Sequence, residues 1–399
     1  MTEVAEAEAL ILERMSRFPA RETPLDDCAG GVLRETVHAE RDQPPFDRVT
    51  MDGIAIDHDA WQAGRRRYRV AGTQGAGAPA MSISSPAECV EIMTGAMLPN
   101  GTDTVIPVER LTIGEGEAVV RTSAVISRRQ FIHPQGSDRA AGSRLLSPGQ
   151  RIGPAEVAIL AGAGRDRVLT AAPPRVAVVS TGDELVEAGQ PIQPYQIRSS
   201  NDRAIEAALV RRFGARVTRA SLRDDPSEIL ESIARLHDRN DVVVLTGGVS
   251  MGKYDFVPGV LERLGVELVF HRIEQRPGRP MWFGVSQASR PVFALPGNPV
   301  STLVCLIRYV VPALWKAMGA APETEEWVRL GEDVKFAADL AYFLPVELRA
   351  DPAGALTAEP RPTNTSGDYA TLGGTDGFVE LPRSSDLFPE GTPARLFRW

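Results

Sequence analysis

Lysine is nearly missing from this chain of 399 residues: Lys253, Lys316 and Lys335 are its only three. Cysteine is as scarce. Cys28, Cys89 and Cys305 lie far apart and form no CxxC pair. A disulfide framework and a thiolate zinc site are thereby excluded, as expected of a reducing compartment. The five histidines show no i,i+4 pair and no HExxH pattern, which excludes the usual zinc-hydrolase signature. Basic charge is in deficit, with 44 Lys and Arg against 52 Asp and Glu and a net charge of −8. A broad electrostatic grip on nucleic acid has no basis in that balance. The start, MTEVAEAEALILERM, lacks the basic opening and apolar run of a secretion signal, so the expected location is cytoplasmic. The most apolar stretch, residues 303–315, is interrupted by Arg308 and Pro312 and is expected to be too short for a bilayer.

What is present is ordinary globular composition, 43% hydrophobic and 24% charged. At roughly 150 residues per domain, the length predicts two to four domains. Residues 6–18 place Leu10, Ile11, Met15 and Phe18 at helical spacing. From about 32 to 170 the texture is short apolar runs between Gly and Pro (YRVAG, CVEIMTGAMLP, DTVIPVERL, EAVVRTS), the signal of a mixed or antiparallel β region. Pro173-Pro174 marks a boundary. Beyond it, RVAVVS and DVVVLTGG read as buried parallel strands, and NDRAIEAALVRRFG as a helix closed by glycine. Asp225 before Pro226, with Glu228 three residues on, opens a further helix. Asn298 and Pro299 start another, running to about Gly319 with a kink expected at Pro312. Strands alternating with helices predict a doubly wound α/β domain, and residues 324–399 a small β-rich tail.

Ligands of open parallel sheets collect beyond the carboxyl ends of the strands. The residues that follow the strands here are Thr181-Gly182-Asp183-Glu184, Asp224-Asp225, Gly247-Gly248 with Ser250, Gly252, Lys253 and Asp255, and Pro296-Gly297-Asn298-Pro299. Glycines allow close backbone approach, and helix starts attract phosphate. Glu184, Asp224 and Asp255 are candidates to hold Mg²⁺ through hard oxygen ligands. Turns and caps recruit the same residue types, but four such loops on one sheet edge favour a site. Lys253 offers a point charge for phosphate without forming a Walker A motif, since Tyr254 follows it. Arg272, Arg276 and Arg279, around a Pro-Gly turn, have the planar donors that bind tetrahedral oxyanions, though surface arginines on a hairpin look the same in sequence.

Six segments in order, PPFDRVTMDGIAID, EIMTGAMLPNGTDTVIPVE, STGDEL, TGGVSMGKYD, QRPGRPMWFG and ALPGNPVST, resemble the MoeA family of molybdopterin molybdenumtransferases, which is related to the gephyrin E domain. The similarity runs from about residue 10 to 320. It implies a multidomain α/β plus β protein. Its parts would be a discontinuous linking domain (1–44 plus 140–172), a β-rich cleft domain (45–139), a molybdopterin adenylyltransferase-like α/β domain (173–320) and a β-barrel-like C-terminal domain (324–399). It further implies a homodimer that inserts molybdate into adenylylated molybdopterin and releases AMP with Mg²⁺. In such a dimer Asp52, Thr94 and Asp138 of one subunit would face Glu184, Asp224, Asp255, Arg272 and Arg276 of the other, with Ser366 from the tail. Possible partners are a molybdopterin adenylyltransferase or a molybdoenzyme; neither nucleic acid nor membrane is implied. Val49, Ile54 and Lys253 depart from the family pattern. Two alternatives stay open: adenylyl transfer from ATP, because the 173–320 domain resembles the adenylyltransferase fold, and pterin-nucleotide binding as a scaffold without turnover, which the changes at Lys253 and Ile54 motivate.

Overall fold

The computed structural model describes residues 1–121, 125–249 and 256–399. Its chain separates into two compact units. One comprises Met1–Glu35, Pro148–Val157 and Arg167–Trp399, the other Thr36–Ser147 and Ala158–Asp166.

In the first unit the apolar run after Pro174 becomes the centre of a six-stranded sheet. Its strands are β1 (Arg175–Thr181), β2 (Arg216–Leu222), β3 (Val242–Thr246), β4 (Val266–His271), β5 (Trp282–Ser286) and β6 (Pro291–Leu295), in the order β2-β1-β3-β6-β5-β4. β1, β2, β3 and β6 pair in parallel, whereas β5 pairs antiparallel with both neighbours. The expected doubly wound sheet is thus present but mixed, because a short hairpin rather than a helical crossover joins β5 to β6.

Alternate residues of β1 and β3 serve the two faces. Val176, Val178, Val242 and Val244 pack with Ile205, Leu209 and Phe213 of helix α1 (Asn201–Phe213). Ala177, Val179, Val243 and Leu245 pack with Ile229 and Ile233 of α2 (Pro226–Arg239) and Val257, Val260 and Leu261 of α3 (Val257–Arg263). Both predicted helix signals are met. Gly214 ends α1 in the left-handed conformation, and the Asp225 carboxylate accepts the backbone N–H groups of Ser227 and Glu228.

The last helix departs from expectation. α4 (Pro299–Cys305) passes through a π-helical turn at Leu306–Val310 into α5 (Val311–Met318). The irregularity falls one turn before Pro312. Proline lacks an N–H and its ring crowds the carbonyl four residues earlier, and the π turn absorbs that mismatch. The whole run, Pro299–Met318, is long and apolar enough to cross a bilayer, contrary to the expectation of a stretch too short. Yet 83% of its most apolar window is buried, so it is the core helix of this unit.

The N-terminal helix, Val4–Arg14, is shorter than predicted, and Met15 and Phe18 reach the same core from extended chain. The tail forms β7 (Glu326–Leu330), β8 (Ala341–Ala350), β9 (Leu356–Pro360), β10 (Gly377–Leu381) and β11 (Pro393–Arg398), closed into a barrel by the β8–β10 pairing. Val328, Leu330, Leu344, Val346, Val379 and Leu381 fill it at period two.

The second unit carries a mixed sheet of Thr104–Pro107, Gly53–Ile56, Glu88–Ile92, Arg67–Gln74, Glu117–Val120 and Leu111–Gly114, in that order. Only the Arg67–Gln74 and Glu88–Ile92 strands run parallel, in keeping with the predicted β-rich texture.

Candidate active site

A cavity of about 820 Å³ opens at the carboxyl edge of the α/β sheet, lined by the loops after β1, β2, β3 and β6. Strand order reverses between β1 and β3, which is where open α/β sheets place ligands. Gly182, Glu184, Asp224, Gly247, Gly248, Pro296, Gly297 and Asn298 all line it. Gly247 adopts φ +95°, and a β-carbon there would lie 2.6 Å from the Thr181 carbonyl oxygen, so the wall is bare backbone by necessity. Asp183 is exposed and does not line the cavity; its carboxylate accepts the Asp224 N–H at 3.3 Å. Ser250, Lys253 and Asp255 lie outside the described residues. Among the described residues no three His, Cys, Asp or Glu side chains converge on a metal position. Glu184 and Asp224 nonetheless present two carboxylates, the hard donors that suit Mg²⁺.

The opposite wall is the start of α1. Asn201 Nδ2 donates to Thr246 Oγ1 at 2.9 Å and to the Gly297 carbonyl at 2.7 Å, tying the loops after β3 and β6 to the helix. Ser200 occupies the N-cap position without a side-chain capping bond. Ser199, Ser200 and Asn201 line the cavity, so the helix presents its positive end there, as anion binding favours. Ser180 and Thr181, 1% and 5% exposed, have hydroxyls with no partner among the described residues. Buried hydroxyls of that kind cost free energy unless a ligand or water satisfies them.

A second cavity, about 510 Å³, adjoins the first and shares Pro280, Pro296 and Asn298 with it. Arg276 and Arg279 line it together with Tyr342, Asn364, Thr365 and Ser366. Arg272 lines neither cavity. Its backbone turns through φ +76°, its N–H donates to the Met281 carbonyl, and its own carbonyl accepts from Thr2. Ser366 joins the tail to the α/β domain: its hydroxyl accepts from Asn298 Nδ2 at 2.6 Å and its carbonyl from the Val300 N–H at 3.1 Å. Asn298 thus occupies the expected N-cap position but sends its amide to Ser366 instead of to its own helix.

In the second unit, Asp52 precedes Gly53, where a β-carbon would overlap the Ile106 carbonyl. Asp52 Oδ1 accepts the Thr94 N–H at 2.6 Å and the Thr94 hydroxyl at 2.7 Å. These bonds, the backbone one first, hold the Asp52 carboxyl below the usual carboxylate range. Thr94→Val removes the hydroxyl donor, so the Asp52 titration is expected to move up towards the ordinary value; carboxyl-carbon NMR reads the shift. Asp138 sits elsewhere in this unit, bonded to His133 Nε2 at 2.9 Å, with Arg48 on the other ring nitrogen.

Three family models match the chain in succession. They are the MoeA N-terminal region (domains I and II) over residues 2–164, a probable molybdopterin-binding domain over 177–316, and the MoeA C-terminal region (domain IV) over 328–396. A molybdopterin molybdenumtransferase of Synechocystis sp. is 36% identical over the whole of both chains. The chain belongs to the MoeA family. It is an enzyme of molybdenum cofactor biosynthesis, of the molybdopterin molybdenumtransferase class. A molybdopterin molybdenumtransferase of Staphylococcus epidermidis is 30% identical over 92% of this chain and 88% of its own. Two structures of the molybdopterin biosynthesis MoeA protein from Pyrococcus horikoshii superpose with TM-scores of 0.84 and 0.83 at 31% and 26% identity, covering all of this chain and 99% and 100% of theirs. Against the MoeA pattern, the departures at Val49 and Ile54 fall on fully buried packing positions.

Sequence reasoning located the strand-end part of the first cavity, because strand-end loops are contiguous signals. It missed Ser199, Ser200 and Asn201 among others, which also line it. A Ser-Ser-Asn run before a helix reads as an ordinary cap, and only the bonds from Asn201 to Thr246 and Gly297 mark it as cavity wall.

Proposed function

We propose that this MoeA chain inserts molybdate into the dithiolene of adenylylated molybdopterin with release of AMP. The observation that carries the reading is the pair of adjoining cavities. One has a helix N-terminus, orphaned hydroxyls and two carboxylates, suited to a nucleotide phosphate; the other has paired arginines, suited to a tetrahedral dianion. The volumes of both, about 820 and 510 Å³, are also of the size that encloses a small ligand.

Mg²⁺ would be held by Glu184 and Asp224, with Asp255 as the further candidate, and when bound it offsets negative charge on the phosphoanhydride oxygens. The chain's own groups do the rest. The α1 start and the Gly247-Gly248 and Gly297 backbones seat the nucleotide phosphate. Arg276 and Arg279 orient molybdate, Arg272 standing outside that pocket, and Ser366 borders it. Asp52, Thr94 and Asp138 are proposed to complete the cleft from the partner subunit of a homodimer. Their acidic and hydroxyl character suits ordering of water and of the pterin's polar edge. A cytoplasmic location agrees with three buried free thiols. The product is proposed to pass to a molybdoenzyme.

The deciding experiment supplies purified protein with adenylylated molybdopterin and Mg²⁺, with and without molybdate, and measures AMP. Molybdate-dependent release is the expected result. Pyrophosphate release from ATP and molybdopterin would mark an adenylyltransferase, and binding without release a scaffold.

A further inference from the structure

The arginine loop, residues 276–279, is exposed on its outer side but rests on a fully buried polar cluster formed by the residue that precedes it and by the core helix. Gln275, Cys305 and Tyr309 are 0%, 0% and 1% exposed. Gln275 Nε2 donates to the Pro277 carbonyl at 3.0 Å, and because a carbonyl can only accept, that bond sets which way the amide faces. Its Oε1 then accepts the Tyr309 hydroxyl. The Cys305 thiol donates to the Gly278 carbonyl at 3.6 Å and receives Gln275 Nε2 at 3.6 Å. A β-carbon on Gly278 would lie 2.6 Å from both Cys305 Sγ and Gln275 Nε2, so loop and cluster are in tight contact. Burial raises the titration of the Tyr309 phenol and of the Cys305 thiol, so both remain protonated donors at working pH.

We infer that Gln275, Tyr309 and Cys305 are positioning residues for oxyanion capture: from beneath the loop they fix the Pro277 and Gly278 carbonyls and so aim the Arg276 and Arg279 side chains into the second cavity. The inference rests on the proposed role of that cavity as the molybdate pocket. Its physical basis is that a buried network with every member satisfied has one low-energy arrangement, whereas loss of one donor strands its acceptor and frees the loop. Two guanidinium groups bind one tetrahedral anion well only when both are held in place. None of the three side chains lines the first cavity, so nucleotide binding stays outside their reach.

The test compares Tyr309→Phe, Gln275→Leu, Cys305→Ser, Cys305→Ala and Arg276→Ala in the full-length protein. It measures molybdate KM and kcat for AMP release, together with equilibrium dialysis of molybdate alone, which needs no turnover. Tyr309→Phe is expected to raise the molybdate KM and Kd about tenfold, the usual effect of stranding one buried acceptor, with kcat within about twofold. Cys305→Ser, which keeps a donor, is expected to stay near the parent, and Cys305→Ala to follow Tyr309→Phe. Should Gln275→Leu fail to fold, Tyr309→Phe, which removes a single oxygen, is decisive. Unchanged molybdate affinity in Tyr309→Phe and Cys305→Ala, beside a weakened Arg276→Ala, overturns the positioning role and leaves the pocket reading intact. Unchanged affinity in Arg276→Ala removes the pocket reading and the inference with it.

Discussion

Replacing Arg308 by alanine is expected to cost about 3–5 kcal/mol of folding free energy, the range for breaking a buried ion pair from one side. Arg308 is 2% exposed within the π-helical turn. Its guanidinium reaches Glu8 of the N-terminal helix at 2.9 Å and Glu380 of the tail barrel at 3.0 Å, and lies over the rings of Tyr309 and Phe397. Burial alone would push this group down, but Glu380 and Glu8 hold it above its ordinary value. Without the cation, two half-buried carboxylates face each other, and three segments remote in sequence lose their common anchor. Arg308→Met keeps much of the packing volume and loses the charge, so the gap between the Met and Ala variants separates the two contributions. Urea titration followed by tryptophan fluorescence supplies both values. A loss below about 1 kcal/mol for Arg308→Ala would place the triad with surface ion pairs instead.

Glu184→Gln is expected to lower AMP release by about 10²–10³-fold, the usual loss when one pre-organised electrostatic group is removed from a catalytic site. The change keeps the shape of the side chain and removes only the negative charge beside Asp224. The nucleotide phosphate should still be held by the α1 start and the bare backbone of Gly247 and Gly297, so nucleotide Kd is expected to change little. Raising Mg²⁺ should recover part of the lost rate, since the defect is in ion affinity. Full turnover of Glu184→Gln at limiting Mg²⁺ would eliminate the carboxylate-metal assignment. The same variant addresses the proposed dimer. Mixed with Asp52→Ala, it is expected to regain activity, because hybrid dimers would contain one cleft with both residues intact. No recovery on mixing, with subunit exchange verified, would mean that each subunit builds its site alone.

What could be read from residues alone followed from chemistry that is local in the chain. The buried runs of β1 and β3, the Asp225 cap, the Gly214 stop and the glycines after β1, β3 and β6 are contiguous patterns, and each is found where it was expected. The period-two filling of the tail is of the same kind, although closure through the β8–β10 pairing is not. Tertiary structure decided everything that depends on segments meeting. It turned an apparently interrupted apolar stretch into one continuous core helix, because Arg308 finds two carboxylates and Pro312 a π turn. It set Arg276 and Arg279, but not Arg272, on one cavity wall, since the backbone reverses at Arg272 and pairs with Thr2. It made Asn201 and Ser366 into bridges between loops 45 to 96 residues apart. Side-chain hydrogen bonds act over about 3 Å whatever the separation along the chain. A spacing rule sees only neighbours in sequence, and these contacts exist only once the sheet, the core helix and the barrel have packed.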